Sequence, residues 1–385
     1  MKPARSTTPC CNNTEYIAGT VHAPSVTNFD AGLRRLRDTV GRVRDRTFPY
    51  QRRPARPRNW ARYDRAQTRE LEGVLELIEL VVDTDVAERG APVPSSRRGG
   101  RPPVPRSDLL KGLLWQSYRE TANRPTEGEL RVVRLGLERR FSYKTLERAY
   151  SDREIVAALP RLLAITNRPL RGLEMIFSID GSGFPGSVRE HYRSAREHQP
   201  EGEREAGYLP RGPHSWVRNV ANVGVRYGLV AGWKSWTEGS LPEVHCYAEV
   251  FGSTRAMHPG MTMQLGDGAY AIRDLVDQTT RVGVACRFLP RRRVNLKSFG
   301  VAGWKPSYWG LVVNPQGWLA DYHRRSMSEV VWGAMKVRYP RKILKRLAQR
   351  RDTEAMLRAV TYNLRRLAYL RWIDPEVPTL RGAAG

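Results

Sequence analysis

Residues 174–183 read EMIFSIDGSG, and the fold is decided by how this stretch is read. Residues 174–180 have the pattern of a buried strand, ended by Gly181, Ser182 and Gly183, which punctuate a chain that is about to turn. Downstream, WVRNVANVGV (216–225) and LVAGWKSWT (229–237) read as two antiparallel strands joined by a turn at Tyr227-Gly228. A helix over 242–251, a strand MTMQLGD (261–267), a helix from Ile272 to Thr280 and a strand VACRFL (284–289) follow, and then a long helix. Three strands, then alternating helix and strand, predict an α/β unit built on a mixed sheet. Asp180 ends the first strand and Asp267 the fourth, and strand ends are where ligands collect in such sheets.

The order of elements fits a sheet of ribonuclease-H type, and the long helix supplies a third carboxylate. Tyr322, Arg325, Glu329 and Lys336 are spaced Y-x2-R-x3-E-x6-K. On one continuous helix they would share a stripe roughly 60° wide. Met327, Val330, Val331, Ala334 and Met335 would face the core, leaving Glu329 flanked by two cations and a phenol. Asp180, Asp267 and Glu329 offer only oxygen donors, which suits Mg2+ or Mn2+. Two such ions can clamp a scissile phosphate. An aspartate at a strand end, taken singly, is more often a turn or capping residue; the two together with the charged helix point to phosphoryl transfer.

The 385 residues carry 65 Lys and Arg against 39 Asp and Glu, a net charge of +26. So basic a chain implies a polyanionic partner. Double-stranded DNA is favoured over membrane because the charge is spread along folded-looking segments and no apolar stretch is long enough to span a bilayer. The cysteines, Cys10, Cys11, Cys246 and Cys286, form no C-x2-C pair, so neither zinc nor a disulfide framework is expected. No signal-peptide core is read at the N-terminus, so a cytoplasmic, nucleoid-associated protein is expected. His191 and His198 have no further ligand at metal spacing, and neither a P-loop nor a G-x-S-x-G elbow occurs.

Four units are expected: a basic extension (1–98), a helical DNA-binding unit (99–172), the α/β catalytic unit (173–340), and a basic C-terminal helix and tail (341–385). Within the extension, residues 1–28 are polar, and 29–46 place Leu33, Leu36, Val40 and Val43 on one helical stripe. Residues 61–88 form a second helical stretch with an apolar run from Leu71 to Val82. The stretch 91–108 is a Pro, Gly, Ser and Arg linker, in which Arg101 could reach a minor groove. Helix starts are expected at Ser107, at a Thr126/Glu129 capping box and at a Ser151/Glu154 box. Between the boxes lies FSYKTLERAY, whose Lys144 and Arg148 would contact DNA if the unit is of helix-turn-helix type; a purely structural helical cap is the alternative.

The Y-x2-R-x3-E-x6-K spacing is similar, without a gap, to the signature of DDE transposases of bacterial and archaeal insertion sequences. Asp180-Gly181-Ser182 resembles that family's first D-G-[ST] motif, and Asp267-Gly268-Ala269-Tyr270 its D-x-A-Y motif. Pro290, Arg291 and Asn295 look like the Pro- and Arg-rich element that follows the next strand. The resemblance covers roughly 99–370. It implies Asp180, Asp267 and Glu329 as catalytic and metal-binding residues, and Tyr322, Arg325 and Lys336 as DNA-contacting or site-organising partners. Residues 1–98 exceed what the family usually carries. Only 62 positions separate Asp267 from Glu329, which argues against a large β-rich insertion there.

Between those two residues, RRRVNLKSFGVAGWKPSYWG (291–310) alternates cations with rings, so Arg291, Arg293 and Asn295 join the DNA-binding candidates; an ordinary surface loop anchored by its aromatics is the other reading. The activity expected is cleavage of element ends and strand transfer by in-line displacement, with a homodimer in the DNA complex. A catalytically silent DNA-binding descendant and a nuclease that cuts without joining are the alternatives. A tyrosine recombinase is disfavoured because Tyr322 precedes its basic cluster.

Overall fold

The computed structural model describes residues 26–50, 57–89, 103–189, 214–237, 241–340 and 342–383. Five strands, β1 (Ile176–Arg189), β2 (His214–Gly224), β3 (Val230–Trp236), β4 (Met263–Gly266) and β5 (Ala285–Phe288), form one mixed sheet in the order β3-β2-β1-β4-β5. The first three pair antiparallel, and β1-β4 and β4-β5 pair parallel. The turn at Tyr227-Gly228 is as expected, with Gly228 at φ +73°.

β1 is longer than the 174–180 segment. Gly181, Ser182 and Gly183 do not end it; they continue the pairing opposite Val220, Asn219 and Arg218. Both glycines mark close approach instead. A Cβ on Gly181 would collide with the Glu243 carboxylate, and one on Gly183 with the Trp216 indole and the Val217 carbonyl.

Seven helices precede the sheet: α1 (Val26–Arg44), α2 (Trp60–Thr68), α3 (Glu70–Arg89), α4 (Arg106–Arg119), α5 (Asn123–Glu129), α6 (Tyr143–Ala149) and α7 (Arg153–Asn167). Within or after it come α8 (Tyr247–Met257), α9 (Arg273–Thr280), α10 (Trp304–Val313), α11 (Pro315–Tyr322), α12 (Ser326–Arg338) and α13 (Ala348–Ile373). One sheet face, with Val217, Ala221, Val223, Val230 and Trp233, shares a core with α3, α4, α7, α12 and α13. The other, with Phe177, Ile179, Val220 and Ala231, packs against α1, α8, α10 and α11. The α1 stripe is seen as expected, with Leu36 and Val40 fully buried in this second core.

The cap expectations are corrected. α4 starts at Arg106 after Pro105, with no side-chain cap, so Ser107 does not cap it. Thr126 is a buried residue inside α5, donating to the Ala122 carbonyl, while Glu129 accepts from the Trp115 indole. Asp152, not Ser151, caps α7 by accepting from the N–H groups of Glu154 and Ile155. The 61–88 stretch breaks at Arg69 into α2 and α3. The helix expected over 242–251 is a 3-10 turn, Glu243–Cys246, running into α8.

α13 is basic in composition, yet it is the buried spine of the first core and touches α2, α3, α4, α7 and β3. Its Asn363 accepts from Val230 N–H at 2.9 Å and donates to the Val230 carbonyl at 2.7 Å, tying the edge strand β3 to the helix.

Candidate active site

The parallel register sets Ile179 opposite Gly266, so Asp180 and Asp267, each one residue further on, are neighbours across β1 and β4. Asp180 lies within β1, opposite Ala221, and its carboxylate accepts from Gly181 N–H at 3.0 Å. Asp267 leaves β4 at its C-terminal end and caps the short 3-10 turn Gly268–Tyr270, accepting from Ala269 N–H at 2.8 Å. Its turn role and its place beside Asp180 coexist.

Burial and then the Asp267 charge push the Asp180 carboxyl up to about 6; the Gly181 N–H and Arg325 oppose this, and Glu329 adds to it. Glu243 is raised for the same reasons, burial first and then Asp267 and Asp180. It is thus a fourth carboxylate facing the pair. No sequence signal marked it, because a glutamate after a Pro in a connecting turn has no distinguishing spacing.

The segment carrying Tyr322, Arg325, Glu329 and Lys336 is not one helix. Tyr322 ends α11, Arg325 ends a 3-10 turn (His323–Arg325), and Glu329 and Lys336 ride on α12. Of the residues expected on the core side, Val331 and Met335 are buried, whereas Val330 is 61% exposed. α12 buries Ser328 and Trp332 beside Val331 and Met335, so its inner stripe is turned relative to one running straight on from Tyr322. The junction is tied to the sheet two residues before Asp180: Ser178 donates to the Arg325 carbonyl at 3.2 Å and to Ser328 Oγ at 3.3 Å. Glu329, one residue past Ser328, adds its charge to the field on Asp180. Arg325 bonds Glu329 at 2.8 Å and lies 5.2 Å over the Tyr322 ring, itself buried and stacked on Trp318. Among the described residues no three Asp, Glu, His or Cys side chains converge closely enough to hold a metal ion as they stand.

Across 262 residues the chain is 28% identical to a probable transposase for insertion sequence element ISA1214 of Archaeoglobus fulgidus, a match covering 66% of this chain and 73% of that protein. The chain is a relative of an insertion-sequence transposase. No family model and no solved structure matches it.

In this transposase relative the other DNA-binding candidates are scattered. Lys336 is exposed two turns along α12 from Glu329. Arg291 and Arg293 are exposed just past β5, at the same end of the sheet as Asp267, while Arg292 between them pairs with Asp45. Asn295 is engaged structurally: its side chain accepts from Arg273 at 3.0 Å and from Lys297 N–H at 3.2 Å. Within 291–310, Trp304 and Tyr308 are core residues and Phe299 is 66% exposed under Arg273. Lys144 and Arg148 are exposed on α6, away from the carboxylates in sequence and on a separate element. Arg101, His191 and His198 lie outside the described residues. A further cation was missed. Arg44 of α1 donates to the Pro290 carbonyl at 2.8 Å and reaches the backbone at Gly268, so the N-terminal extension contributes to the rim of the site. No helix among the described residues is long and apolar enough to cross a membrane.

Proposed function

We propose that the chain is a DNA transposase of DDE type, with Asp180, Asp267 and Glu329 as its catalytic carboxylates on a ribonuclease-H-like sheet. The observation that carries this reading is the placement of Asp180 and Asp267 on adjacent parallel strands, with the Glu329 helix bonded to β1 through Ser178. The strand order 3-2-1-4-5, antiparallel on one side and parallel on the other, supports the fold assignment.

The donor set fits a hard divalent cation: every candidate ligand is a carboxylate oxygen, and the like charges that raise Asp180 are the field a cation would relieve. Asp180 and Asp267 would hold it, and Glu329 would complete the set by leaving Arg325. When bound, two Mg2+ or Mn2+ ions would supply the Lewis-acid stabilisation of the attacking and leaving oxygens. The chain's own residues do the rest. Half-buried Asp180 fixes the centre, Arg325 neutralises Glu329 until DNA arrives, and Lys336 offers a point charge to a backbone phosphate. Water attacks the end phosphate in line, releasing a 3′-hydroxyl that in turn attacks a target phosphate. Arg291 and Arg293 border this path, with buried Tyr322 supporting Arg325 from beneath; Lys144 and Arg148 offer a separate contact on the flanking duplex. Holding two ends at once calls for a homodimer on DNA, and the reaction belongs at the cytoplasmic nucleoid.

Incubating the full chain with a plasmid carrying the flanking element ends and Mg2+ tests the reading. Cut and joined products support it. Cutting without joining would make the chain a nuclease, and retained binding with no products a silent descendant.

A further inference from the structure

The carboxylate chemistry leaves one adjoining feature unused. A cavity of about 380 Å3 opens beside Gly181 and Gly183, walled by Trp216, Arg218, Trp236 and Glu243. It starts one residue after Asp180, on the sheet face that carries Phe177 and Ile179.

Its chemistry is uneven in an informative way. The Trp216 indole sits where a Gly183 side chain would stand, against backbone, yet the residue is still 45% exposed. An aromatic ring laid over glycine backbone and left open is a stacking platform. Trp236 is nearly buried, and among the described residues its indole N–H has no acceptor. Arg218 stands between them, opposite Gly183 on one side and Trp236 on the other, with its side chain exposed. Glu243 closes the end next to the aspartates and offers an acceptor. A ring to stack on, a cation, one unsatisfied donor and one acceptor make a nucleotide-sized constellation. The volume falls near the lower end of the ~300–1,000 Å3 typical of small-ligand pockets, far too small for a duplex.

We infer that this cavity takes one unpaired nucleotide of the DNA strand being cut, its base on Trp216 and its phosphate at Arg218. This rests on the DNA-cutting reading above. A base still paired in a duplex cannot reach such a pocket, so the strand must be open at this point.

The test uses the full chain and two fluorescein-labelled duplexes of the same sequence, one fully paired and one with a three-nucleotide bulge, compared by anisotropy at one salt concentration without divalent ions. The wild type should prefer the bulged duplex about tenfold, in line with the contribution of one base–aromatic stack. Trp216→Ala should reduce this preference to about twofold or less, Trp216→Phe should keep it, and affinity for the paired duplex should stay within about twofold in both. Arg218→Gln, at an exposed position, is a second variant that leaves the fold intact and should weaken the bulged complex more than the paired one. If the wild type binds both duplexes equally, or Trp216→Ala keeps the preference, the pocket assignment is overturned while the DNA reading stands. Failure to bind either duplex would overturn both.

Discussion

Arg325 and Glu329 bond at 2.8 Å across the point where a 3-10 turn becomes α12, and in a DDE mechanism that pair would decide whether Glu329 is available as the third carboxylate. Glu329 is more than half exposed. A helix-surface pair of this kind contributes only ~0.3–0.5 kcal/mol, little enough for a cation and a phosphate to break it. Arg325→Ala should therefore free Glu329 at little cost in ion-pair energy, any fall in Tm coming from the lost contact with the Tyr322 ring. Glu329→Gln should reduce strand cleavage by about 10²-fold or more, with end binding within a few-fold. Gel assays of end cleavage and binding check both. Wild-type cutting by Glu329→Gln would remove Glu329 from the site.

Asp180 is held at a cost, because it is largely buried beside Asp267 and within the field of Glu329 and Glu243. Asp180→Asn relieves that crowding. In EDTA at neutral pH the variant should be more stable than the wild type by about 1 kcal/mol, a degree or two in Tm for a chain of this size. Cleavage should be abolished. A variant less stable than the wild type would show that the carboxylates do not crowd one another.

Much of this arrangement was legible in the chain. β-branched and aromatic runs found the five strands of the described residues, since a strand's period of two is local; Asp267 was located at the end of its strand, whereas Asp180, expected at a strand end, lies within β1. What was not legible depends on tertiary contact. Gly181 and Gly183 looked like a stop because glycine usually punctuates, whereas here Glu243 and Trp216 occupy their missing side chains. The α11–α12 junction looked continuous because its spacing suits a helix; Ser178 pulling on the Arg325 carbonyl accompanies the 3-10 turn that breaks it. Arg44 joined the rim from a segment with no motif at all.

His258 makes the fold sensitive to acid. Buried behind Phe177, with its Nε2 3.1 Å from Asn167 Oδ1, it is held down to about 4 by burial and by Arg171. The unfolded chain protonates it near 6.5, so its contribution is complete above that value and is lost as pH falls through 6.5 towards 4. The full loss is on the order of 3 kcal/mol. Urea midpoints of the wild type and His258→Gln, measured at pH 7.5 and 4.5, should converge at the lower pH. Parallel curves would mean the imidazole stays accessible to protons in the fold.

Asn363 tests whether the C-terminal helix belongs to the fold of the five-stranded sheet. It is fully buried on α13, bonded to both backbone groups of Val230 and, at 2.9 Å, to Thr166 on α7. Val230 opens the edge strand of the sheet that carries Asp180. Truncation by Asn363→Ala leaves the Val230 N–H without its partner in a dry core, and an unsatisfied group of this kind costs about 1–3 kcal/mol. Asn363→Asp keeps the acceptor for Val230 N–H but loses both donors and buries a charge, so it should be worse than alanine. Denaturant unfolding orders the two variants. Were Asn363→Ala as stable as the wild type, α13 would be an appendage to the sheet, and removing residues 348–383 would leave cleavage intact; the bonding to β3 and α7 predicts instead that this deletion yields no folded protein.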